Sequence, residues 1–287
     1  MSLKSSALRS DVLHEFPFSE AEFSYLAGLL RDSTGIVLNS SKMNMVYARL
    51  ARRLRELNLK TFAAYCELLQ SSTGDQEMGN LINALTTNLT KFFRESHHFD
   101  HLRNTVIPAV AARKGATPKR LRIWSAGCSS GEEPYSIAMV VADELARQSG
   151  WDAKILATDL DTNMVATGRT GLYSQQAIDE LQPTLRDRYL TRQEGDVWAV
   201  QPQVRQYITF KQLNLLHPWP MSGPFDAIFC RNVMIYFDGP TKNQLIKRFV
   251  DMLAPGGWLY IGHSETLFDN KSKLELDGRT VYRKAMP

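Results

Sequence analysis

From Arg120 to Leu145 the chain reads RLRIWSAGCSSGEEPYSIAMVVADEL, a pattern that few folds accommodate. Leu121 to Ala126 mixes apolar and β-prone residues and ends in small ones, as a buried strand does when it delivers the chain to a turn. The turn is Gly127-Cys128-Ser129-Ser130-Gly131. Glu132, Glu133 and Pro134 suit a first helical turn, and Ile137, Val140, Val141 and Leu145 then recur at helical spacing. The segment therefore predicts a strand, a small-residue loop and a helix.

Small residues let backbone and ligand approach closely, and a new helix end offers unpaired N–H groups to a polar ligand. The three-glycine dinucleotide fingerprint is absent, because Ser129 stands where its second glycine would fall, and no lysine follows as in a phosphate loop. Glu132 and Glu133 also put negative charge where a pyrophosphate needs a positive field. The loop favours a nucleoside ligand that is neutral or cationic at this end. The next strand, Ala153 to Asp159, ends on an acid about thirty residues after the loop, roughly where nucleotide-binding βαβ units hold a ribose. Asp159 is the ribose candidate, and capping of the following helix is the competing role.

At 287 residues, 44% hydrophobic and 22% charged, the chain can bury a sizeable core as one large or two modest domains. A net charge of +4 is too small to argue for nucleic acid. Cys66, Cys128 and Cys230 form no C-x-x-C pair and leave one over in any disulfide scheme, which points to a reducing compartment. No apolar run is long enough to span a bilayer, and no signal peptide opens the chain. A soluble, cytoplasmic monomer without membrane insertion is expected.

The opening segment, Met1 to Glu15, is polar and expected to be loosely ordered. Helical spacing follows: Phe23, Leu26, Leu29 and Leu30, a break at Gly35, then Met43 to Leu57, Phe62 to Leu69, and Asp75 to about Leu85. Residues 16–86 read as a small helical domain. In VYARLARRLREL, Val46, Leu50, Leu54 and Leu57 fall on one stripe, while Arg49, Arg52, Arg53 and Arg55 populate the other flanks. That basic face is either solvated or a docking surface for an acidic partner.

In NALTTNLTKFFRESHHFDHL, Asn83 to Leu102, the residues Phe92, Phe93, Phe99 and Leu102 predict a helix, with Asn88, Thr90 and Arg94 as polar groups near its start. His97 and His101 lie one helical turn apart beside His98, but the acid of H-E-x-x-H is missing, so no metal site is expected. Between Thr170 and Lys211 the βα alternation breaks. Helix-like DELQPTLRDRYL precedes strand-like Asp196–Val200 and Arg205–Phe210, which reads as a small inserted β subdomain at about 181–212. Alternation resumes with Phe225–Asn232, a helix from about Thr241 to Leu253, a stop at Pro255-Gly256-Gly257, the strand WLYIG, and a hairpin turning at Asp277-Gly278.

TNLTKFFRE, SAGCSSGEEPYSIA, ATDLDTNMV, FDAIFCRNVMIYF and LAPGGWLYIGHSE, in that order, resemble the chemotaxis receptor methyltransferases of the CheR family, which use S-adenosylmethionine and leave S-adenosylhomocysteine. The resemblance spans nearly the whole chain. It implies a class I methyltransferase fold: a doubly wound α/β sheet with an antiparallel C-terminal hairpin and an inserted β subdomain over 87–287, preceded by an all-α domain. It also implies methyl transfer onto glutamate side chains in the cytoplasmic helical bundle of chemoreceptors.

By the same resemblance, Asn88, Thr90 and Arg94 lie at the cofactor, with Arg94 near its methionine carboxylate and the reacting centre. Glu133 and Asp159 fall on its amino and ribose side, Asn214 and Leu215 beside the adenine, and Arg231 and Asn232 on the last wall. Tyr236 would face the transferred methyl, which makes Arg94 and Tyr236 the catalytic pair. An acceptor glutamate, with an ordinary pKa of about 4.3, is already an anionic nucleophile near neutral pH and needs no general base. This suits a sequence with no evident Ser/His/Asp or Cys/His constellation. Cys128 and Cys230 read as small strand-end residues. With a glutamate-rich bundle as substrate, the arginines at 49, 52, 53 and 55 become the docking face.

The sequence departs from the family at one place. Members that dock a receptor C-terminal pentapeptide on the β subdomain carry a longer glycine-containing turn, whereas here the stretch from Tyr189 to Tyr207 is compact, with Gly195 its only glycine. A tether-independent enzyme is expected. Two alternatives stay open: a catalytically silent module that senses S-adenosylmethionine or S-adenosylhomocysteine, and an RNA methyltransferase. The second lacks an aromatic-rich basic stripe, so no nucleic-acid partner is expected.

Overall fold

The computed structural model describes residues 15–113, 118–146, 148–267 and 273–286, so most of the opening segment expected to be loosely ordered lies outside them. Two compact units divide the chain: one takes in residues up to Ser33 and Leu38–Leu85, the other Thr34–Val37 and the residues from Thr86 onward.

The first unit is helical among its described residues: α1 Glu20–Thr34, a 3-10 turn Ser40–Lys42, α2 Met43–Glu56, α3 Phe62–Gln70 and α4 Gly74–Leu85. A reciprocal capping box starts α1, in which Ser19 N donates to Glu22 Oε2 at 2.7 Å and Glu22 N donates to Ser19 Oγ at 3.2 Å. Asn58 ends α2 in the left-handed region, and Leu59 N reaches back to Leu54 O at 2.9 Å. The predicted stripe of α2 is buried at Val46, Leu50 and Leu54, and Thr61 caps α3 by accepting from Ala64 N.

The second unit continues with α5 His97–His101, a π-helical turn Leu102–Val106, α6 Ile107–Ala111, β1 Lys119–Ala126, α7 Glu132–Leu145, β2 Trp151–Asp159 and α8 Thr162–Thr170. Then come β3 Leu172–Ser174, α9 Gln175–Ile178, α10 Pro183–Tyr189, β4 Leu190–Arg192, β5 Val197–Val200, α11 Pro202–Arg205 and β6 Ile208–Gln212. It closes with β7 Phe225–Phe229, a 3-10 turn Met234–Tyr236, α12 Gly239–Met252, β8 Leu253–Tyr260, β9 Leu274–Gly278 and β10 Val281–Lys284. Seven strands form one sheet in the order β6-β2-β1-β7-β8-β10-β9. The first five are parallel, and β10 and β9 run antiparallel at the edge. Three more strands, β3-β5-β4, form a small antiparallel sheet. Trp124, Phe229, Trp258 and Tyr260 are almost fully buried in the core, with the rings of Phe229 and Tyr260 stacked at 4.0 Å.

Four expectations change. The helix expected within the stretch up to Leu102, with Asn88, Thr90 and Arg94 near its start, forms only from His97: residues 86–96 are non-helical, with Phe93 and Glu95 at positive φ. The small sheet begins as early as Leu172, while Ile208–Gln212, assigned from sequence to the β subdomain, pairs in parallel with β2 as the outer strand of the large sheet. Short alternating runs look alike in either sheet, and only the parallel pairing tells them apart. Pro255-Gly256-Gly257 lies within β8, where an irregularity in pairing with β7 absorbs it. The hairpin turns at Arg279-Thr280 because Asp277 stays in the strand, its Oδ2 accepting from Trp258 Nε1 at 2.7 Å.

Candidate functional site

The carboxyl ends of β1, β2, β6 and β7 lead into Glu133, Asp159, Asn214 and Leu215, and Arg231 and Asn232, at the edge of the sheet where ligands of open α/β sheets bind. After β1 the loop turns through Ser129 and Gly131, both at positive φ, and a Cβ at Gly131 would lie 2.8 Å from Tyr173 Oη and 3.0 Å from Gly168 Cα. Ser129 N donates to Asp159 Oδ2 at 2.7 Å, and Asp159 Oδ1 accepts from Asp161 N at 2.9 Å. Burial pushes the Asp159 carboxyl up to about 6 against the pull of these backbone donors. The competing cap role falls to Asp161, whose Oδ1 accepts from Asn163 N and Met164 N at the start of α8.

Residues 86–96 are held against these loops. Asn88 Nδ2 and Thr86 Oγ1 each donate to Asp161 Oδ2 at 2.8 Å, and Ser129 Oγ donates to Asn88 O at 3.0 Å. Phe93 N donates to Ser136 Oγ at 2.9 Å. Thr90 and Arg94 are half-buried on this segment, with Arg94 Nη1 on Leu89 O at 2.8 Å. Leu213 N donates to Asp159 O at 2.9 Å, which ties the Asn214–Leu215 stretch to the ribose candidate. Leu215 is buried, and Asn214 Oδ1 accepts from Leu216 N at 2.9 Å.

Arg231, just past β7, is the most enclosed cation of the site, its side chain only 2% exposed. Its Nη1 meets Glu133 Oε2 at 3.0 Å, and Nη2 donates to Arg94 O and lies 3.3 Å from Glu95 Oε2. Glu133 Oε1 also accepts from Ser125 Oγ at 2.7 Å. Burial raises the Glu133 carboxyl pKa, with Arg231 pulling the other way. Glu132, pushed up by burial, accepts from Ser130 Oγ at 2.7 Å.

Asn232 sits at positive φ, and Tyr236 occupies the 3-10 turn after it. Sequence reasoning passed over the residue that fixes this turn. Glu265, buried, accepts three backbone N–H groups: Asn232 N at 2.9 Å, Ile235 N at 3.2 Å and Gly262 N at 2.5 Å. Tyr236 O accepts from Val37 N at 2.9 Å. Asp161, Glu95 and Glu265 were all unassigned. Only Asp161 carried a local signal, an acid immediately before a helix.

The histidines have structural partners: His97 Nε2 meets Arg279 O at 3.1 Å, His98 Nε2 Thr280 Oγ1 at 2.9 Å, and His101 Nδ1 Tyr260 Oη at 2.7 Å. Burial depresses His98 to about 2, so its ring is neutral. Ligand atoms of Glu95, His97 and His98 lie within 4.8 Å of one another, where Glu95 already meets the Arg231 guanidinium. Cys128 and Cys230 are buried, and burial pushes both thiols well above their ordinary range, which leaves no thiolate nucleophile there.

In the first unit the basic helix is only partly free. Arg53 grips Glu77 through Nε at 2.9 Å and Nη2 at 2.7 Å, and Arg49 Nη1 donates to Leu85 O at 2.9 Å. Arg52 is 82% exposed beside Glu56, and Arg55 is 57% exposed beside Glu15.

Two family models match the chain: the CheR methyltransferase all-alpha domain over residues 21–86 and the CheR methyltransferase SAM binding domain over 88–283. The chain belongs to the CheR methyltransferase family. It is 42% identical over 261 residues to a probable chemotaxis protein methyltransferase of Rhizobium etli, covering 89% of this chain and 96% of the relative. It is also 42% identical over 282 residues to the chemotaxis protein methyltransferase of Escherichia coli, covering 96% and 95%, and 41% identical over 275 residues to chemotaxis protein methyltransferase 2 of Pseudomonas aeruginosa, covering 94% and 95%. The CheR cofactor is S-adenosylmethionine, and the chemistry of the residues fits it: the carboxylates of Glu133 and Asp159 are acceptors of the kind an ammonium and ribose hydroxyls require. Among the described residues, no helix is long and apolar enough to cross a membrane.

Proposed function

We propose that this methyltransferase forms glutamate methyl esters on the cytoplasmic helical bundle of chemoreceptors, acting as a cytoplasmic monomer. The observation that carries the reading is the pair of CheR matches, over residues 21–86 and 88–283. Bound S-adenosylmethionine supplies an electrophilic methyl on a sulfonium.

The protein's part is to bind, orient and exclude water. Asn88, Thr90, Arg94, Glu133, Asp159, Asn214, Leu215, Arg231 and Asn232 would hold the cofactor, Glu133 on its amino side and Asp159 on its ribose. Arg94 and Tyr236 would flank the reacting centre. An acceptor glutamate is ionised near neutral pH, so no base has to remove a proton and catalysis comes mainly from alignment. Arg52 and Arg55 offer outward charge to a glutamate-rich bundle, while Arg49 and Arg53 would add theirs from within the domain's own contacts.

Recognition without a C-terminal receptor tether belongs to the same reading. Only residues 193–196 separate β4 from β5, and Gln193 N closes that turn on Val197 O at 2.7 Å. The experiment is transfer of radiolabelled methyl from S-adenosylmethionine to a receptor cytoplasmic fragment with and without its last five residues. Base-labile label on both fragments at similar rates is expected. Label on RNA alone, or on neither fragment, sinks the assignment, and micromolar binding of the isolated pentapeptide sinks the tether-free part.

A further inference from the structure

We infer that Glu95 is a positioning residue for the cofactor: by sharing the Arg231 guanidinium it leaves Glu133 with negative charge to offer the ligand's amino group. The inference rests on the methyltransferase reading and concerns an acid that the family resemblance does not place at the cofactor.

Arg231 lies between two enclosed carboxylates, Glu133 Oε2 at 3.0 Å and Glu95 Oε2 at 3.3 Å, with Arg94 O taking a further N–H. One cation against two anions leaves the cluster with a net negative charge. A guanidinium with a single carboxylate neighbour would turn its fork onto it in a bidentate pair and neutralise it. Here Nη2 instead donates to Arg94 O and faces Glu95 Oε2 at 3.3 Å, so only Nη1 is spent on Glu133. The arrangement is unsaturated, since neither Glu95 Oε2 nor Arg231 Nε has a hydrogen-bond partner among the described residues.

Glu95 is itself fixed from other elements. His263 Nδ1 lies 2.8 Å from its Oε1, and His98 Nδ1 lies 3.6 Å from its Oε2. Its backbone is left-handed at φ 58, a conformation a non-glycine residue keeps only where its surroundings impose it. It directly follows Arg94, so the same anchor also sets the course of the chain at a residue placed by resemblance at the reacting centre.

The test is calorimetric titration of the full chain and its Glu95→Gln and Glu95→Asp variants with S-adenosylhomocysteine and with 5′-methylthioadenosine, which keeps the nucleoside but lacks the amino-acid end. Glu95→Gln is expected to weaken S-adenosylhomocysteine about ten-fold, the order of one charge-assisted contact, and to leave 5′-methylthioadenosine within about two-fold. Glu95→Asp, whose carboxylate stops one methylene short of Arg231, moves the same way by a smaller factor and decides the matter if Glu95→Gln does not fold. Equal loss for both ligands in a folded variant, or no loss for either, overturns the inference. A wild-type chain that binds neither ligand would instead sink the cofactor reading itself.

Discussion

The backbone N–H of Ser129 donates to Asp159 Oδ2 at 2.7 Å, so a single carboxylate fastens the loop after β1 to the end of β2. Asp159 is therefore both a ligand candidate and a structural tie. Asp159→Asn is expected to weaken S-adenosylhomocysteine by about 1–3 kcal/mol, because its amide nitrogen must face either the Ser129 or the Asp161 N–H. Calorimetry on the folded variant checks this, and unchanged affinity would refute the ribose role.

The same carboxyl gives a pH dependence. Its folded-state pKa of about 6 stands above the ordinary value of 3.8, so the native state holds its proton more tightly than the unfolded chain between those values. This group alone therefore lowers stability as pH rises through that window. Cofactor binding runs the opposite way, since hydroxyl donors want the ionised form. Affinity for S-adenosylhomocysteine should fall as pH drops below about 6, and the slope should become shallower in Asp159→Asn, where the raised Glu133 carboxyl still contributes, as titrations at several pH values would reveal.

On α2 the arginines separate by partner. Glu77 is 5% exposed and receives Arg53, Tyr65 Oη and Asn80 Nδ2, so Glu77→Ala should cost up to about 3 kcal/mol of stability by stranding them. The double substitution Arg52→Ala with Arg55→Ala should leave the melting temperature nearly unchanged and raise the receptor KM several-fold, more at low salt. Melting curves and initial rates distinguish the two. A salt-independent KM would contradict electrostatic docking.

Glu265→Gln exchanges one acceptor oxygen for a donor facing backbone N–H groups. About 1–3 kcal/mol of stability should be lost, and kcat should fall because the turn bearing Asn232 and Tyr236 loosens. Denaturant unfolding and single-turnover rates measure each effect, and full activity would show that the turn holds without its anchor.

What the sequence made legible follows the range of the interactions. The strand, loop and helix around Gly127–Gly131 were readable because turn residues, helix-start acids and apolar spacing are local signals. Glu95 and Glu265 were not, since each acts on partners that only the fold brings near, such as Arg231 and Asn232. Arg205–Phe210 reads as a strand of the inserted subdomain, yet Ile208–Gln212 pairs in the large sheet, because strand pairing is non-local. Arg53 and Arg49 looked like free surface charge, since periodicity places a side chain on a face without naming the acceptor that waits there.

The path of the chain from α8 to β6 has an evolutionary consequence. The small sheet leaves after α8, which packs on the main sheet, and the chain returns to β6, locked in parallel register from Ile208 to Gln212. Both roots are thus clamped to scaffold, and the tip at 193–196 can lengthen, shorten or change chemistry without shifting Asn214 or Asp159. Selection can therefore rewrite that tip while the cofactor chemistry is inherited untouched.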